Sequence, residues 1–97
     1  MRRAARTDAN QTAIVDALRR CGWSVLSLAP MGRGVPDLAA SKAGRTVFIE
    51  VKDGAKCPSA RKLTQQQREF FGNWQGEWYI VESAENALRL LTGSACA

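Results

Sequence analysis

Asp37, Glu50 and Lys52 are the residues of this chain whose types and spacing suit chemistry. Asp37 closes the run Gly34-Val35-Pro36-Asp37, and after a twelve-residue gap comes Glu50-Val51-Lys52. If Thr46 to Lys52 is a strand, alternation puts Val47, Ile49 and Val51 on one face and Phe48, Glu50 and Lys52 on the other. An acid and an amine on one side of an otherwise apolar strand need a reason. Two carboxylates brought together make a hard-oxygen site for a divalent cation. A lysine beside them can position or polarise the water or phosphate on which such an ion works. That is the chemistry of phosphodiester cleavage.

Each part also has a plainer account. Asp37 suits a turn at the start of a strand, because Pro-Asp pairs are common in turns. Glu50 could face solvent from mid-strand, and Lys52 could be solvated at a strand end. Gln67 falls on an apolar helix face with Phe70, Phe71 and Trp74. A buried amide must find partners or cost about 1–3 kcal/mol. Thr64 and Gln67 fit a Thr-x-x-Gln capping box, in which the glutamine bonds back to the Thr64 amide. Alternatively, Gln67 points into the site and orients Lys52, a metal-bound water or a phosphate. Asp8 divides in the same way: it caps the first helix, or it leans over the sheet as a third carboxylate near the metal. Asp16 lies off the apolar stripe of that helix and is expected to face solvent.

The chain contains no histidine. A Ser-His-Asp or Cys-His arrangement therefore cannot be built within it. A general base must be a carboxylate, a lysine or a metal-bound water. Its three cysteines, Cys21, Cys57 and Cys96, are widely spaced with no Cys-x-x-Cys pair. They read as free thiols in a reducing, cytoplasmic setting rather than as a zinc site. Arg2, Arg3 and Arg6 resemble the start of a signal peptide, but a polar stretch follows where an apolar segment would be needed. No apolar run approaches the ~20 residues of a membrane span.

Elements that could position these residues are legible in order. Residues 8 to 21 read as a helix, with Ile14, Leu18 and Cys21 at i, i+4, i+7 and Val15 on the same flank. Gly22 stops it. Trp23 to Leu28 is a first strand, and Pro30 to Gly34 a loop. Pro36 to Ala40 is a second strand, Lys42 to Arg45 a tight turn, and Thr46 to Lys52 a third strand, so the last two form a hairpin. Asp53 to Lys62 is a loop. A second helix runs from near Thr64 to about Trp74, a fourth strand from Glu77 to Glu82, and Ser83 caps a last helix carrying Ala87, Leu88 and Leu91. Thr92 to Ala97 is expected as a frayed tail. The 97 residues make one domain with its core over about 8–91. The order αβββαβα predicts an α/β fold with a mixed sheet and helices packed on it.

The formal net charge is +5, from 14 Lys and Arg against 9 Asp and Glu, which favours a polyanionic partner. Between positions 52 and 68 there are five basic residues, and Asp53 is the only acid. Arg33, Lys56, Arg61, Lys62 and Arg68 could hold phosphates on both sides of a scissile bond. A solvated basic loop is the plain alternative.

Four elements in this order resemble a known pattern. Pro36-Asp37 followed by Glu50-Val51-Lys52 looks like the PD-(D/E)xK nuclease superfamily. Asp8-x-x-Gln11, Arg33 to Asp37, Ile49 to Lys52 and Leu63-Thr64-x-x-Gln67 together resemble a stand-alone VRR-Nuc (virus-type replication-repair nuclease) domain, over about residues 8 to 82. The resemblance implies a restriction-endonuclease-like αβββαβ core and a Mg²⁺ or Mn²⁺ cofactor. It implies Asp37 and Glu50 as metal ligands with the Val51 carbonyl as a third, Lys52 as the catalytic lysine and Gln67 as an accessory glutamine. Asp8 stands where the family usually shows a glutamate. The implied activity is a metal-dependent, structure-selective DNA endonuclease, acting as a homodimer on branched DNA such as Holliday junctions, without a small-molecule cofactor. The competing readings are a catalytically inactive DNA-binding module with the same fold, and a small helix-turn-helix regulator. The β-branched segment Thr46 to Val51 and the aromatic run Trp78 to Val81 speak against the last.

Overall fold

The computed structural model describes residues 9–92. The chain forms α1 (Ala9–Arg20), β1 (Ser24–Ser27), β2 (Leu38–Lys42), β3 (Arg45–Val51), α2 (Gln65–Asn73), β4 (Glu77–Val81) and α3 (Ala84–Thr92), with short 3-10 turns at Ala29–Met31 and Pro58–Arg61. The four strands make one sheet in the order β1-β2-β3-β4. β1–β2 and β2–β3 are antiparallel, while β3–β4 is parallel. The fold is thus α/β with a mixed sheet, as the sequence order implies. Among the described residues no helix is long and apolar enough to cross a membrane.

Helix α1 ends where its sequence changes. Gly22 adopts φ +92, its amide bonds to the Arg19 carbonyl at 3.0 Å, and the Trp23 amide reaches back to the Leu18 carbonyl at 3.0 Å. These two bonds are the Schellman closure that a glycine at this place permits. The apolar stripe of α1 is buried: Ile14 and Leu18 are 0% exposed. They pack with Leu38, Val47, Ile49 and Val81 from one sheet face and with Ala87 and Leu91 of α3. Asp16 is exposed, as its place off the stripe requires.

The other sheet face carries α2. Phe48 lies 4.5 Å from Trp74 and 5.9 Å from Phe70, and Phe71 stacks on Trp78 at 4.1 Å, ring centroid to ring centroid. Alternation in β3 therefore divides its residues as expected, with Val47 and Ile49 toward α1 and α3 and Phe48 and Glu50 toward α2.

Strand limits move by a few residues from the sequence reading. Strand β2 begins at Leu38 rather than Pro36 and extends to Lys42, because Ser41 and Lys42 pair with Thr46 and Arg45. The turn between them is only Ala43-Gly44, with φ +54 and +81. Positive φ at both central residues lets a two-residue hairpin follow the right-handed strand twist. Ser83 caps α3 by accepting from the Asn86 amide at 3.0 Å. Thr92 belongs to α3 rather than to a tail. Asp8, Cys96 and the rest of the expected tail lie outside the described residues.

Candidate active site

The β2–β3 hairpin brings the two carboxylates together. Leu38 is opposite Ile49, so one further step of the same register faces Asp37 with Glu50. Directly opposed residues of an antiparallel pair project to the same side. Here that is the α2 side. The Asp37 side chain accepts a hydrogen bond from the Val51 amide through Oδ2 at 2.8 Å, which fixes it across the end of the hairpin. The expected turn role of Asp37 and its place beside Glu50 are therefore compatible.

Glu50 is only 3% exposed. The solvent-face account is overturned, because α2 covers this part of β3. The Lys52 side chain is 13% exposed, so it is not a solvated strand end either. Its Nζ lies 3.5 Å from Glu50 Oε2.

Gln67 answers both of its alternatives at once. Helix α2 begins at Gln65 because Thr64, in extended conformation, caps it. The Gln67 amide donates to Thr64 Oγ1 at 3.2 Å, and the Thr64 amide donates to Gln67 Oε1 at 2.8 Å. That reciprocal pair is the capping box. The same Oε1 also accepts from Lys52 Nζ at 3.1 Å, while Gln67 Nε2 donates to Glu50 Oε2 at 2.7 Å. The capping geometry holds the amide in the orientation that links acid and amine.

One oxygen of the cluster is left over. Glu50 Oε1 is buried with no hydrogen-bond partner among the described residues. Burial, and next the Asp37 carboxylate, push the Glu50 carboxyl up from 4.5 to about 7, against the pull of Lys52. A buried carboxylate oxygen facing a second carboxylate, in a set of hard oxygen donors, fits a divalent cation. Asp37, Glu50 and the Val51 carbonyl are the groups that would hold it. Among the described residues no group of three or more Asp, Glu, Cys or His side chains is placed to hold a metal. The candidate centre thus has two side-chain acids, and Asp8, the third candidate, lies outside the described residues.

The basic residues divide between exposed side chains and ones already engaged. Arg33, Lys56 and Lys62 are exposed. Arg61 instead pairs with Glu82 at 3.4 Å, and Arg68 donates to the Leu63 carbonyl at 2.9 Å. Asn10 is a positioning residue that the sequence reading passed over. Its Nδ2 donates to the Lys52 carbonyl at 3.3 Å and the Glu82 carbonyl at 3.1 Å, tying α1 to the ends of β3 and β4. The signal was available: Asn10 stands in the i, i+4, i+8 row with Ile14 and Leu18, where a polar residue needs a partner.

Compared with protein-family models, curated proteins and solved structures, the chain has no match in any of the three.

Proposed function

We propose that this chain is a divalent-metal-dependent deoxyribonuclease that hydrolyses phosphodiester bonds in branched DNA, in a cytoplasmic setting and as a homodimer. The observation that carries the reading is the Asp37–Glu50–Lys52–Gln67 cluster with its partnerless, buried Glu50 oxygen. The resemblance to VRR-Nuc domains points to the same residues.

In this reading Asp37 and Glu50, with the Val51 carbonyl, hold Mg²⁺ or Mn²⁺. The bound ion supplies charge neutralisation at the scissile phosphate and acidifies water. Lys52 presents its ammonium beside Glu50, where it stabilises negative charge developing on the phosphate. Gln67 keeps that ammonium in place and prevents Lys52 from collapsing fully onto Glu50. Lys56 and Lys62 hold the backbone without reading bases, which favours structure preference over sequence preference. Each chain supplies one such cluster, so paired nicks across a junction require two copies.

A second reading, an inactive DNA-binding module, draws on the count of two side-chain acids among the described residues. Incubation with labelled four-way junction, flap, single-stranded and linear duplex DNA, in Mg²⁺, Mn²⁺ or EDTA, separates the two. Cleavage that needs both the ion and Lys52, tested with Lys52→Ala, supports the nuclease. Binding without cleavage under any metal supports the module.

A further inference from the structure

A cleft of about 390 Å³ lies beside the candidate site, lined by Arg33, Gln66, Glu69, Phe70, Asn73 and Trp74. It is built from two of the segments that carry the cluster. Arg33 is four residues before Asp37, and Gln66 immediately precedes Gln67. The loop is locked against the helix: a Cβ at Gly34 would meet the Gln66 carbonyl carbon and oxygen at 2.6 Å. Arg33 itself is held at φ +61, a conformation that costs a non-glycine residue energy and that marks candidate ligand clamps.

The lining has a mixed character. Trp74 is 41% exposed, yet its ring is braced by Phe48 at 4.5 Å and lies nearly parallel to Phe70 at 5.7 Å. Its indole nitrogen would be 2.7 Å from a Cβ at Gly76, so that glycine packs directly against it. The aromatic wall is therefore pre-organised. Asn73 is oriented by donation from its Nδ2 to the Glu69 carbonyl at 2.9 Å.

A phosphate does not suit this cleft, because the Glu69 carboxylate repels it and Arg33 is the single cation in the lining. An aliphatic side chain does not suit it either, since it would strip water from Arg33 and Glu69 without replacing those hydrogen bonds. A planar heteroaromatic ring suits every wall. Its face stacks on the exposed ring of Trp74, which Phe70 backs, its exocyclic amines donate to Glu69, and its ring and carbonyl acceptors meet Arg33, Gln66 or Asn73. In a duplex each base face is covered by its neighbours, so only an unpaired or flipped base can use such a wall.

We propose that this cleft binds one unpaired nucleobase of the DNA whose backbone lies at the Asp37–Glu50–Lys52 cluster. This rests on the nuclease reading for its partner and names the feature of that partner which is recognised. The cleft selects DNA with a base out of the stack near the cut, at a flap, bulge or junction centre.

Fluorescence anisotropy of the full chain in EDTA, carrying Asp37→Asn, reads this without any cleavage. The probes are a labelled duplex with one bulged nucleotide, the same duplex with an abasic residue at the bulge, and the fully paired duplex. Removing the base is expected to weaken binding about 5- to 150-fold, the range of one base–aromatic stack. Trp74→Ala is expected to erase the difference between base and abasic probes while leaving affinity for paired duplex unchanged. Because Trp74 also braces Phe48, the exposed Glu69→Ala is the second variant, expected to shrink that ratio several-fold. Equal binding of base and abasic probes by the unsubstituted cleft, or a ratio untouched by both variants, would overturn the proposal. The nuclease reading would survive that result, because metal- and Lys52-dependent cleavage is measured separately. Absence of binding to any DNA would also overturn the proposal, and cleavage in Mg²⁺ or Mn²⁺ would then decide the nuclease reading on its own.

Discussion

At the scale of single residues, the proposed nuclease function predicts a sharp separation between binding and chemistry. Asp37→Asn and Lys52→Ala are each expected to lower metal-dependent cleavage by at least about 100-fold, the usual size of a lost electrostatic contribution at a reacting phosphate. DNA affinity should change little, and an Asp37→Asn protein with full cleavage would exclude Asp37 from the mechanism. Glu50 adds a pH effect in metal-free buffer. Burial, and next the Asp37 carboxylate, push its carboxyl up from 4.5 to about 7. The folded state therefore binds more protons than the unfolded state between those values, and stability falls as pH rises through that window. The loss is of order 1–3 kcal/mol for this group. Melting curves in EDTA should show Glu50→Gln gaining on the unsubstituted protein from pH 5 to pH 8, with added Mg²⁺ narrowing the gap. A gap that stays constant across this range would contradict the burial argument.

At the scale of elements, a cap and two turns carry the site. Gln67→Ala removes a capping partner and the link between Glu50 and Lys52 together. It should cost about 1 kcal/mol of stability and also reduce cleavage, whereas Thr64→Ala should cost stability with a smaller effect on cleavage. Denaturant titration alongside an activity assay distinguishes them. Gly34 is the element-scale weak point of the loop, with φ +79 and the Gln66 backbone in the way of any side chain. Gly34→Ala is expected to destabilise by about 1–3 kcal/mol from backbone strain and to shift the start of α2. Ala43 makes the opposite case. It holds φ +54 at an exposed position, so Ala43→Asn should raise stability by about 0.5–1 kcal/mol. A lower urea midpoint for that variant would show that the turn is not limiting.

At the scale of the whole molecule, charge and its distribution matter more than any one contact. A net charge of +5 predicts DNA affinity that falls steeply with salt. The slope should report which cations meet phosphate. Lys62→Ala is expected to reduce the log–log slope by about 1, and Arg61→Ala to reduce it less, because Arg61 is already paired with Glu82. Equal slopes for the two variants would mean that the Arg61–Glu82 pair opens on binding.

Local pattern alone determined much of this protein. The apolar row of α1, the glycine that ends it, the Thr-x-x-Gln cap and the alternation in β3 are short-range consequences of backbone geometry, and so they are legible residue by residue. The shared sheet face of Asp37 and Glu50 was legible from the hairpin, but the two-residue turn that leaves it one register was fixed only in the fold. Only the tertiary structure decided what covers that face. The docking of α2 through Phe70, Phe71 and Trp74 buries Glu50 and brings Gln67 onto both Glu50 and Lys52, and Arg61 pairs with Glu82. The polar contacts among these join residues 15 to 21 positions apart in the chain. Their geometry depends on how an entire helix seats on an entire sheet, which neither hydrophobic period nor residue spacing encodes.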